Sequence, residues 1–114
     1  MRYRVPKREF EFVLREVMDI EQLTQYPGYE DVTWEMLQMI TDQVAEIAED
    51  IWLPSNQIGD QIGAKFKEGE VTLPPEFHDA INAIRDTGLV TLFAHREYGG
   101  MGFPTAFEVL GDEV

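Results

Sequence analysis

The residues of this chain that could carry chemistry fall into three groups. The first is the turn "HREYGGMGFP", residues 95–104, where Gly99, Gly100 and Gly102 lie close together. Backbone N–H groups freed by glycines can cradle a phosphate, and a helix starting after Pro104 would add its own free N–H groups. The dinucleotide pattern Gly-x-Gly-x-x-Gly fails here, because Gly100-Met101-Gly102 is followed by Phe103, Pro104 and Thr105. The P-loop lysine is absent, as is a surrounding βαβ unit. A tight turn that needs positive φ accounts for the glycines instead.

The second group is Asp42, Glu46, Glu49 and Asp50, all within one helical stretch. Asp42/Glu46 and Glu46/Asp50 are like charges at a spacing that makes them helix neighbours, so they repel. Carboxylates on one helix can also bind metal, but helical di-metal sites pair a Glu with a His three residues later. His78 is preceded at that spacing by Pro75, and His95 by Leu92. A solvated acidic face with no metal is the expectation. The third group is His78, His95 and Ser55. Histidine titrates near neutrality and could move protons. Neither histidine has a nucleophile at a recognisable spacing, and Pro54-Ser55-Asn56 is not a nucleophile elbow. Surface or loop-bonding histidines are expected, and no catalytic residue is assigned. Trp34, Trp52, Met36 and Met39 flank an apolar helix face, where they could line a ligand channel or pack in a core.

These groups need elements to position them. Phe10, Val13, Leu14, Val17, Ile20 and Leu23 predict a helix over about 9–24, with a break near Asp19. Pro27-Gly28 predicts a turn. Leu37, Ile40, Val44, Ile47, Ala48 and Ile51 form one apolar face of a helix over 33–53, with Asp31 or Thr33 as its cap. Pro54 ends that helix or kinks it into a second segment. Residues 55–73 read as a loop with one short helical turn. Pro75 opens a further helix, with Phe77, Ile81 and Ile84 on one face and Gly88 at its C′ position. Residues 89–94 read as a short strand or a buried connector. Thr105 is the expected cap of a last helix. The fold class expected is all-α, an up-and-down helical bundle of about four principal helices with no sheet.

Composition narrows the partners. The 114 residues suit one domain and carry a net charge of -13, with 22 acidic against 9 basic residues. That balance argues against binding nucleic acid, which needs clustered Lys and Arg. No apolar run suits a membrane helix or a secretory signal, so no membrane insertion and a cytoplasmic location are the default expectations. The absence of cysteine excludes disulfides and thiolate ligands.

The segment "LPPEFHDAINAIRDTGLVTLFAHREYGGMGFP" resembles the N-terminal helical domain of the acyl-CoA dehydrogenases. In that family a helix ending in Gly precedes a short apolar connector, a Glu-Tyr-Gly-Gly-x-Gly-hydrophobic turn, and a helix carrying a glutamate. Here the turn is Glu97-Tyr98-Gly99-Gly100-Met101-Gly102-Phe103-Pro104, and the glutamate is Glu113. Upstream, "YRVPKREFEFVLREVMDIEQL" is similar to the extra N-terminal segment of a bacterial subgroup. Pro54, Asn56, Gly59 and Asp60 match its Pro-x-Asn-x-x-Gly-Asp loop. His95-Arg96 departs from the family, where many members have Pro-Glu or Asp-Pro. The resemblance implies an extension over 1–30 packed on a helical domain over 31–114, without the family's β-domain and C-terminal helical domain.

It also implies a FAD enzyme that removes hydrogen between Cα and Cβ of an acyl-CoA thioester. In the family the catalytic base and most flavin contacts lie outside this domain, so this chain alone is expected to hold no FAD and to be inactive. The resemblance makes Tyr98, Gly99, Gly100, Met101, Phe103 and Glu113 the expected substrate-binding residues, as lining for the acyl chain. Packing within the domain is the alternative for each. Apolar surface meant for a missing domain would favour a homo-oligomer. A non-catalytic helical interaction or oligomerisation module is the alternative function.

Overall fold

The computed structural model describes residues 2–114. After an extended arm, a helix runs from Lys7–Glu11 (α1) into a wider π-helical segment, Phe12–Val17. Asp19, in the left-handed region at φ 49°, breaks it before a 3-10 segment, Ile20–Gln25. The break falls where the sequence placed it. Trp34–Ile47 (α2) is capped by the Thr33 side chain, which accepts from the Met36 N–H. That bond satisfies one of the free donors at the helix start.

Helical structure then continues through a π-helical segment, Ala48–Trp52, into Leu53–Ile62 (α3). Pro54 lacks an N–H, and its ring crowds the carbonyl one turn back. A widened turn absorbs that defect without ending the rod. At about 1.5 Å per residue, residues 34–62 span roughly 43 Å.

Lys65–Lys67 (β1) and Glu70–Thr72 (β2) form an antiparallel hairpin, with Phe66 paired to Val71. Both turn residues, Glu68 and Gly69, have positive φ, as a two-residue hairpin turn requires. The expected loop over 55–73 is therefore corrected to a helix and a hairpin, and the architecture is mostly helical with a small two-stranded sheet. Pro75–Thr87 (α4) begins with its proline and ends at Gly88, φ 76°. The following stretch is a connector and not a strand, with a 3-10 turn at Leu89–Thr91, and it is not buried as expected: Leu92 alone is buried, while Val90, Thr91 and Phe93 are exposed. Thr105–Glu113 (α5) closes the chain. Thr105 is the first helical residue, and Pro104 occupies the cap without a side-chain bond.

The core joins α1's extension, α2, the connector and α5 through Leu14, Ile20, Val32, Trp34, Leu37, Ile40, Leu92, Phe103, Phe107 and Leu110. The molecule measures 56 × 38 × 16 Å, with a radius of gyration of 17.0 Å. A compact chain of this length would have about 13 Å. A thickness of 16 Å holds two helix layers and no third. Among the described residues, no third layer covers the side of α4 that bears the exposed Ile81, next to the end of α2.

Candidate functional site

The uncovered face forms a groove of about 900 Å³ between the end of α2, α4, the connector and α5. Ile47, Trp52, Phe77, Ile81, Phe93 and Phe107 are among its lining residues, and Glu108 and Asp112 supply carboxylates. The α4 residues Phe77, Ile81 and Ile84 recur at helical spacing, so one stripe of the helix faces one wall. Trp52 is fixed by an indole N–H that donates to the Ala80 carbonyl at 2.9 Å. Phe77 lies on Gly59 of α3, where a Cβ would come within 2.2 Å of its ring tip. Gly59 is thus the residue that lets α3 and α4 close against each other.

The glycine turn lies beside this groove and holds the connector. The N–H groups of Tyr98, Gly99, Gly100, Met101, Gly102 and Phe103 all donate to backbone carbonyls within residues 91–96. Met101 donates to Thr91, Gly102 to Ala94, and Phe103 to Leu92. Arg96 ties the turn outward, with Nε to the Met101 carbonyl and Nη2 to Asp31, both at 3.1 Å. The amides of residues 98–103 are thus spent internally. The turn's chemistry is therefore positional: it fixes Leu92 and Phe93, which face the groove. Gly100 packs so tightly on Ala94 that no Cβ fits.

The acidic helix face is not simply solvated. The basic arm lies along it. Arg2 donates to the Glu49 carbonyl at 3.1 Å and to Asp50 at 2.5 Å, and Lys7 bonds Asp42 at 2.6 Å. Arg4 pairs with Glu49, whose other oxygen accepts from the Val5 N–H at 2.9 Å. The Val5 amide first, then the Arg4 guanidinium, hold the Glu49 carboxyl below its ordinary range, against the effect of burial. The arm thereby offsets the repulsion between the helix's like charges. Among the described residues, no cluster of three or more potential ligands could hold a metal.

The residues singled out from the sequence divide between surface and core. Tyr98 is 82% exposed, and Met101 and Glu113 are also exposed. Phe103 is buried, its ring centroid 5.1 Å from that of Phe107. Tyr98, Gly99, Gly100, Met101, Phe103 and Glu113 stand outside the groove wall, whereas Phe107, Glu108, Gly111, Asp112 and Val114 are on it. His78 is exposed, and His95 accepts the Glu97 N–H on Nδ1 at 3.2 Å. Ser55 donates to the Trp52 carbonyl within its helix. Trp34 is in the core under the Arg15 guanidinium, while Trp52 faces the groove. The sequence missed Tyr3 and Leu73 as lining residues, because their place is set by tertiary packing alone.

No helix of the described residues is long and apolar enough to cross a membrane. No family model matches the chain. The chain is similar to the 3-methylmercaptopropionyl-CoA dehydrogenase of Ruegeria pomeroyi, with 25% identity over 114 residues. The match covers 100% of this chain and 19% of that enzyme, so the chain spans about a fifth of its relative's length. Along its whole length, then, this chain has a distant likeness to part of an acyl-CoA dehydrogenase.

Proposed function

We propose that the chain is the helical N-terminal domain of an FAD-dependent acyl-CoA dehydrogenase, and that its groove is one wall of the acyl pocket. The observation that carries this reading is the 900 Å³ apolar groove on a face with no covering layer. An alkyl chain is a natural occupant of such a surface, because burying it is favourable by about 0.8 kcal/mol per methylene. Among the described residues, the one serine on the groove, Ser55, bonds the Trp52 carbonyl and not a base, and the amides of residues 98–103 are spent on internal carbonyls. The residues present do not make a flavin site, and no redox step is assigned to them. When bound elsewhere in a longer protein, the flavin would supply the hydride chemistry. This domain would supply shape and exclude water.

In this reading Tyr98, Gly99, Gly100, Met101 and Phe103, with Glu113, form the edge of the acyl site where the domain meets the rest of the enzyme. The 1–30 segment is an extension packed on the 31–114 domain. The coding sequence beyond Val114 tests the assignment. A reading frame continuing into a β-domain supports it, and an immediate stop refutes it. Reduction of FAD by an acyl-CoA with the 114-residue chain alone, under anaerobic conditions, would refute the division of labour.

The uncovered apolar face also favours a second reading, a non-catalytic interaction or homo-oligomerisation module. Self-association is expected in both readings, so light scattering is run with and without an acyl-CoA. A change with the acyl chain supports the first, and self-association with no such change supports the second.

A further inference from the structure

The basic arm does more than neutralise a helix. Arg2 and Arg4 alternate with Tyr3 and Val5, and alternate residues of an extended segment point to opposite sides. The arginines reach Asp50 and Glu49. Val5 is buried, and Tyr3 lies on the groove wall with Ala48 and Trp52. Among the described residues, Tyr3 is the arm's contribution to that wall. Glu49 and Trp52 both belong to the widened segment Ala48–Trp52. One irregular turn therefore carries both the anchor of the arm and an aromatic of the groove.

We propose that the arm sets the length of alkyl chain the groove accepts, with Tyr3 as the stop and Glu49 as the clamp that holds it. Glu49 grips the arm through both carboxylate oxygens, one on the Val5 amide and one on Arg4. It is a positioning residue and does not touch the ligand. Arg2–Asp50 and Lys7–Asp42 brace the arm on either side but are more exposed, so they contribute less. The inference rests on the groove's being an acyl site, and its test separates the two ideas.

The probe is a series of n-alkanols of increasing length, titrated against the full chain and followed by Trp52 emission. Loss of the response in Trp52→Phe assigns it to the groove. Affinity should rise about fourfold per added methylene until the chain meets the stop, then level off. In Tyr3→Ala the levelling should move to longer alkanols, with about a fourfold gain at the first length beyond the wild-type limit. Tyr3→Phe should keep the wild-type limit, and Glu49→Gln should shift it as Tyr3→Ala does. In Glu49→Gln the Val5 amide should exchange faster while Leu37 and Ile40 stay protected, which distinguishes arm release from unfolding.

An unmoved limit in Tyr3→Ala, with alkanols still bound, overturns the role of the arm and leaves the groove intact. Unchanged Val5 exchange in Glu49→Gln overturns the clamp. Absence of any Trp52-dependent binding overturns the groove reading and the stop with it.

Discussion

Replacing Gly100 and Gly111 by alanine, one at a time, adds the same methyl to two glycines of the same region and should change stability in opposite directions. At Gly100 the new Cβ would lie 1.9 Å from the Ala94 oxygen and 2.4 Å from its carbonyl carbon. These are backbone atoms, so no rotamer change relieves the clash. Reaching an ordinary contact requires the two sides of the turn to part by about 1.5 Å. The Ala94 carbonyl also accepts the Gly102 N–H at 2.9 Å, and Phe103 bonds Leu92 just beyond. Weakening one or two such bonds costs about 0.5–1.5 kcal/mol each. Overpacking adds about 1–3 kcal/mol. Gly100→Ala should therefore destabilise by about 2–4 kcal/mol, a large share of the 5–15 kcal/mol typical of a domain. Gly111 lies in α5 at ordinary φ with open space around its missing Cβ. There the alanine should stabilise by about 0.5–1 kcal/mol. Urea unfolding followed by circular dichroism measures both. With a slope near 2 kcal/mol per molar, the Gly100→Ala midpoint falls by about 1–2 M. A Gly100→Ala variant within about 0.5 kcal/mol of wild type would refute the packing argument, as would loss of stability in Gly111→Ala.

Two further predictions concern the groove's surroundings. The Glu49 carboxyl titrates lower in the folded chain than in the unfolded one, where the ordinary value is about 4.3. Its stabilising contribution is thus complete above that value and is lost as pH falls through the depressed folded value. Amide exchange at Val5, corrected for intrinsic rate, should show protection falling in acid in the wild type, with no such step in Glu49→Gln. Gly59→Ala should push the Phe77 ring, which the new Cβ would approach to 2.2 Å, and cost about 1–3 kcal/mol. Adding Phe77→Leu should recover part of that loss in a double-mutant cycle, and strictly additive effects would show that the two residues do not meet.

The elements legible in the sequence were those with local causes. Thr33 capped its helix, Pro75 and Gly88 bounded theirs, and Asp19 broke the first helical stripe, each through its own backbone preference. The hairpin was missed because its strands have three residues each and are exposed on both faces, leaving no alternation to read. Its one signal was Glu68-Gly69 between Phe66 and Val71, a short turn flanked by β-forming residues. The helix after Pro54 was obscured by Gly59 and Gly63, and the first of these proved to be a packing contact with α4. The turn at residues 95–104 was recognisable as a turn from its glycines. That the amides of residues 98–103 point inward, and that the groove lies beside the turn, depends on how Leu92 and α5 meet. No local spacing encodes that. The acidic face was read without its partner, because Arg2, Arg4 and Lys7 are more than thirty positions away from it.

The most direct test of the acyl-wall assignment is methyl NMR of the chain titrated with octanoyl-CoA and, separately, with free CoA. Salt should be high enough to screen repulsion between the ligand's phosphates and the net charge of -13. The account predicts saturable shifts for Ile47, Ile81, Ile84 and Val90, all on the groove, with octanoyl-CoA and not with free CoA. Equal shifts with both ligands, or none at these methyls, would contradict it.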